Sequence, residues 1–183
     1  MTKLGFLIFV ATVMVISHLC VGQERSDVEE TEVEGKHSLS FIIAHARIGQ
    51  GRDMDGNRQF TTVPSISIDY NYWISPRFAI GVHTDLLNEN FFIETADKGE
   101  LIERERPIAP VVMGTYKPGK HWSFGLGFGG EFAEGEDYFV TRLGVEYMVE
   151  IRNGWGVLGA LTQDFRAKAY NVTSIGLGIE KKF

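Results

Sequence analysis

The sequence predicts an all-β chain, an eight-stranded antiparallel up-and-down barrel that spans a membrane. Three observations carry this. First, the chain ends in "VTSIGLGIEKKF", where Phe183, Lys181, Ile179, Leu177 and Ile175 alternate with Lys182, Glu180, Gly178, Gly176 and Ser174. Period-two alternation marks a strand whose two faces meet different surroundings. Second, the pattern recurs between turn signals that cut the chain into eight strand-length pieces. Third, its sense is inverted: bulky apolar residues share one face, and glycines with ionic groups share the other. Eight strands leave an interior just wide enough for side chains. Phe124, Leu126 and Phe128 would crowd such a lumen, whereas glycines and a few charges fit it. The apolar face is then toward lipid, and closure leaves no unpaired backbone edge in hydrocarbon.

Residues 1–22 read as a secretory signal. Lys3 gives a positive start, and Leu4 to Ile16 runs 13 residues without a charge. That run is short for a bilayer-spanning helix and suits an export signal cleaved after Gly22. Leu19 stands before Cys20 where a lipoprotein signal carries a small residue, so lipidation is the lesser alternative. Cleavage removes the sole cysteine, and the exported chain then has no disulfide. The formal charge moves from −6 to −7 with the loss of Lys3. Residues 23–36 form an acidic lead-in: "ERSDVEETEVE" holds six acids against Arg25 and has no aromatic residue, so disorder is expected there. The remainder is near balance at −2, which gives no basic excess for nucleic acid.

The barrel domain is expected over 37–183, with strands near 37–48, 60–74, 78–87, 102–116, 122–132, 138–151, 155–167 and 172–183. Short turns at "SPR", "KPGK" and "RNG" alternate with longer links at 49–59, 88–100, 133–137 and 168–171. Strand five sets Trp122, Phe124, Leu126 and Phe128 against Ser123, Gly125, Gly127, Gly129 and Glu131. Strand six sets Phe139, Leu143, Val145 and Tyr147 against Arg142, Gly144 and Glu146. Strand one has no clean parity. Strand four carries Pro107 and Pro110, which predict a bulge or bend.

Parity assigns an ionic network to the lumen: Asp69, His83, Asp85, Glu131, Arg142, Glu146, Asp164 and Glu180. Charges in so narrow a space must pair or meet water, so a salt-bridged plug is expected rather than a channel. Arg142 is expected to be the one basic group well inside, with Arg166 and Lys182 at opposite rims. Trp73, Trp122 and Trp155 each lie near a different short turn, where an interfacial aromatic belt belongs. Phe132, Tyr138, Phe139, Phe165 and Tyr170 suit the opposite girdle.

With these features the chain from about His37 resembles the small eight-stranded outer-membrane barrels of Gram-negative bacteria, of the OmpA and OmpX sort. The resemblance rests on the export signal, the strand count, the alternation of short and long connections and the terminal Phe. It implies the outer membrane as location, and outer-membrane lipids, lipopolysaccharide and the assembly machinery as partners. Ile175, Leu177, Ile179 and Phe183 would be the signal that this machinery reads. A monomer is expected, with no cofactor and no metal. Two other functions stay open. A lipid-modifying enzyme would use His121 and Ser123 with Glu131 or Glu134, in the manner of a His-x-Ser pair oriented by an acid. A soluble secreted barrel would enclose an apolar ligand. "DMDGN" at 53–57 lacks the spacing of a calcium loop.

Overall fold

Ten strands follow one another with no helix among the described residues, which are 35–52, 58–94, 101–167 and 169–183 in a computed structural model of the chain. The expected signal at 1–22, the lead-in as far as residue 34, and "DMDGN" lie outside them. The strands are β1 (His37–Arg52), β2 (Arg58–Ser75), β3 (Phe78–Leu87), β4 (Phe91–Glu94), β5 (Leu101–Arg104), β6 (Ile108–Tyr116), β7 (Trp122–Glu131), β8 (Tyr138–Arg152), β9 (Trp155–Arg166) and β10 (Asn171–Lys182). Eight of them close into an antiparallel barrel in the order β1-β10-β9-β8-β7-β6-β3-β2. β4 and β5 pair only with each other.

The ring closes between first and last strands, in register from Ser38 opposite Lys182 to Ile48 opposite Val172. At its end the backbones of His37 and Phe183 exchange hydrogen bonds of 3.0 and 2.8 Å, and their rings stack at 5.8 Å. The Asn153–Gly154 turn has both residues at positive φ, 54° and 73°. That backbone twist matches the strands it joins, and Asn-Gly reaches it at least cost.

The exterior is apolar. Phe124, Leu126, Leu143, Val157 and Ile179 all stand exposed on the outer wall, and Leu177 is 72% exposed. Serines, glycines and ionic groups turn inward. A helix long and apolar enough to cross a membrane is absent among the described residues.

Strand four differs from expectation. Its segment 102–116 is broken at residues 105–107, where Arg106 adopts a φ of 37° and Pro107 offers no N–H to a ladder. Residues 101–104 join the β4–β5 hairpin instead, and β6 begins at Ile108. Pro110 remains inside β6 opposite Thr84. Strand one, which showed no parity, alternates cleanly in space: Ser38, Ser40, Ile42, Ala44, Ala46 and Ile48 point in, while Leu39, Phe41 and Ile43 point out.

Candidate functional site: the ion-paired lumen

Cross-strand pairing sets the geometry of the lumen. Arg142 on β8 lies directly opposite Asp164 on β9, and Glu131 ends β7 opposite Tyr138. Arg142 donates from Nε to Asp164 Oδ1 at 2.7 Å and from Nη2 to Asp164 Oδ2 at 2.8 Å. Its Nη2 also reaches Asp85 Oδ2 on β3 at 2.8 Å. Asp164 Oδ2 is 3.5 Å from Arg166 Nη2, and Arg166 Nε donates to Glu131 Oε2. Glu131 Oε1 accepts from Arg104 Nη2 at 2.8 Å and from the Tyr170 hydroxyl at 2.6 Å. Arg104 in turn donates to the Glu136 carbonyl. The result is one ladder, Asp85–Arg142–Asp164–Arg166–Glu131–Arg104, in which three carboxylates face three guanidiniums.

Every member of the ladder is buried. Burial of unpaired charge is prohibitively costly, and the charge-assisted bonds of the ladder offset it, although Arg104 Nε and Arg166 Nη1 stay buried without a partner. Burial, and then the neighbouring Glu131, holds the Tyr170 phenol well above its ordinary range. Tyr170 thus acts as a hydrogen-bond donor in this cluster.

The network therefore exceeds what parity indicated. Arg166 does not sit at a rim; it is 5% exposed and joins Asp164 to Glu131. Arg142 is not the lone interior cation, because the β4–β5 hairpin carries Arg104 back over the lumen mouth. Above the ladder an apolar layer forms from Phe91 and Ile93 of β4 against Ala46, Ile48, Val63, Leu87, Tyr170 and Val172. Tyr170 faces this interior rather than an outer girdle, while Phe132, Phe139 and Phe165 stand exposed.

Toward the short turns the lumen holds a second group. His83 Nε2 lies 3.0 Å from Asn71 Oδ1 and Nδ1 lies 3.5 Å from Asp69 Oδ2, with Glu146 close by. Glu180 accepts from the Ser40 hydroxyl at 3.2 Å and lies near enough for its charge to act on Glu146. Trp73 requires correction. It shares inward parity with Asp69 and Asn71, is 8% exposed, and donates its Nε1–H to Ser38 Oγ at 3.2 Å. It lies at the short-turn end of the lumen, flanked by the ammonium groups of Lys117 and Lys182 at 5.9 and 5.7 Å. Trp122 and Trp155 do face outward, Trp122 edge-on to Tyr147 at 4.9 Å.

The serine–histidine arrangement does not assemble. Ser123 is buried in the lumen, whereas His121 is exposed with its Nδ1 2.9 Å from the Met148 carbonyl oxygen. Glu131 lies eight positions along β7 from Ser123, roughly 26 Å at a strand rise of about 3.3 Å. Nothing here favours an enclosed apolar ligand: the middle of the lumen holds the ionic ladder, and the apolar layer above it is filled by Phe91 and Ile93.

No family model matches the chain, and no curated protein matches it. Solved structures do. The attachment invasion locus protein Ail of Yersinia pestis, in complex with the heparin analogue sucrose octasulfate, superposes with a TM-score of 0.57 at 14% identity, covering 82% of this chain and 100% of that one. Ail in a phospholipid bilayer nanodisc gives 0.50 at 14% identity, over 82% and 100%. Neisserial surface protein A gives 0.50 at 13% identity, over 81% and 97%. The chain has the closed eight-stranded fold of these small outer-membrane barrels.

Proposed function

We propose that the chain is an outer-membrane barrel whose lumen is a fixed ionic plug and whose surface role is carried by its long connections. The observation that carries this is the inversion of the two faces. A continuous apolar wall is exposed outside, and the interior is filled by a neutralised charge ladder. Such an exterior is stable only against lipid, and such an interior leaves no wide aqueous path.

The export signal at 1–22 and the acidic lead-in to residue 36 belong to the same reading, as do monomeric state and the assembly role of the last strand. Ile175, Leu177 and Ile179 on β10, with Phe183 just after it, are all exposed, available to a protein that reads one face of that strand. Arg47, exposed on the outer wall with its guanidinium 3.8 Å over the Phe60 ring, is placed to meet lipid phosphates. The long connections differ in charge from what a polyanion needs. Residues 88–107 carry six acids against three bases, and 133–137 add three acids. A cationic partner therefore suits this end better than a sulfated sugar.

The test is fractionation with gel mobility. The protein is expected in the outer membrane and should migrate faster unheated than boiled, with only rare, small conductance in planar bilayers. A soluble periplasmic protein, or a steady wide pore, would overturn the reading.

A further inference from the structure

The structure assigns a divalent metal site to the lumen, built from Asp69, His83 and Glu146. One ligand atom from each of these residues lies within 4.8 Å of the other two. They come from three strands, β2, β3 and β8, so the cluster exists only in the closed barrel.

Charge balance is the first argument. The ladder uses Asp85, Asp164 and Glu131 against Arg104, Arg142 and Arg166 and is neutral in itself. Asp69 and Glu146 are two further carboxylates outside it. Among the described residues neither forms an ion pair with an arginine, although the charge of Arg142 reaches Asp69 and that of Glu180 reaches Glu146. A single divalent cation neutralises both.

Unmet hydrogen-bonding capacity is the second. Asp69 Oδ1 and Thr115 Oγ1 are buried without a partner, in residues only 4% and 6% exposed. When His83 gives its Nε2 hydrogen to Asn71 Oδ1, its Nδ1 lone pair faces Asp69 Oδ2 at 3.5 Å. Two electron-pair donors that face each other need an acceptor between them. Thr115 lines, with His83, Ser123 and Glu146 but not Asp69, an adjoining cavity of about 10 Å³, room for one water.

The donor set selects the metal. One imidazole and two carboxylates suit zinc and its first-row neighbours; calcium and magnesium prefer all-oxygen shells. Tetrahedral ligands at about 2.1 Å stand roughly 3.4 Å apart, so Asp69 and His83, already 3.5 Å apart, hardly move, and Glu146 closes by at most about 1.4 Å on binding. A water or the Thr115 hydroxyl completes the shell.

The experiment uses untagged protein refolded in detergent with zinc chloride and then freed of excess metal. The parent should retain about one zinc per chain by elemental analysis. His83→Gln and Glu146→Gln should each retain at least tenfold less, and His45→Gln, a change on the outer wall, should retain as much as the parent. A second measurement needs no variant: ring-nitrogen NMR of the parent should show zinc shifting one histidine's resonances and no others. A parent that keeps no zinc would overturn the site. So would retention that survives His83→Gln, or resonance shifts at several histidines.

Discussion

Arg142 and Asp164 face each other across β8 and β9 and are joined by two parallel hydrogen bonds of 2.7 and 2.8 Å. The same guanidinium holds Asp85, so it ties three strands together. Arg142→Ala leaves Asp85 without its cation and Asp164 with only the more distant Arg166, at 3.5 Å. It should lower barrel stability by about 3–5 kcal/mol, the cost of breaking a buried pair. Denaturant unfolding in micelles checks this; an Arg142→Ala barrel as stable as the parent would contradict the plug.

Glu131 is the acceptor for Arg104, Arg166 and Tyr170 at once. Glu131→Ala should release the β4–β5 hairpin while the barrel itself persists. Trypsin should then cut after Arg104 much faster than in the parent, and channel openings should become more frequent. Fragment masses and bilayer recordings report the two effects separately. Unchanged cleavage would mean that the apolar layer alone seats the hairpin.

Gly129 is a position where backbones nearly touch. A Cβ there would stand 2.1 Å from the Pro110 carbonyl oxygen and 2.7 Å from Val111 Cα. At Gly159 the nearest atom would be Leu177 Cδ2 at 3.7 Å. Gly129→Ala should therefore cost about 1–3 kcal/mol by overpacking, and Gly159→Ala about 0.5 kcal/mol or less. Equal unfolding midpoints for the two variants would show that β6 and β7 can spread.

Leu143 stands on the outer wall near the middle of β8. Leu143→Arg should hinder insertion by about 2–4 kcal/mol, whereas an epitope inserted between residues 53 and 57 should be accepted. Heat-modifiable yield in the membrane fraction measures both. Equal tolerance would refute an apolar wall that faces lipid.

The last strand supplies a fourth region to probe. Phe183→Asp should reduce the membrane-inserted fraction while export continues, as pulse-labelled fractionation would show. Normal insertion would mean that the outward residues of β10 are read without the terminal ring.

Much of the barrel was legible because its middle obeys one rule. In β7 and β8 the outward residues are bulky and the inward ones small or charged, and parity alone sorts them. The rule fails where the lumen changes character. β1 looked disordered in pattern because its upper inward residues, Ala46 and Ile48, are apolar as well; they meet the hairpin's Phe91 and Ile93 rather than water or charge. Arg104 was invisible to parity because it reaches the lumen from a connection that folds back, a tertiary event with no periodic trace. Trp73 is different: its parity with Asp69 and Asn71 points inward while its nearness to a turn points to a belt, and the two signals conflict in the sequence. The cluster of Asp69, His83 and Glu146 spans three strands and leaves no spacing motif.

The platform under the hairpin comes from opposite ends of the chain: Ala46 and Ile48 from β1, Val63 from β2, and Val172 from β10, with Tyr170 just before it. Until the first strand meets the last, that platform does not exist. Docking of the hairpin is thus conditional on zipping the seam, and by reciprocity any free energy gained on docking also keeps the seam shut. The hairpin works as a clasp across the one joint in the ring that no covalent turn secures. A chain shorn of it should breathe there first, with amide exchange rising along β1 and β10 before any other strand.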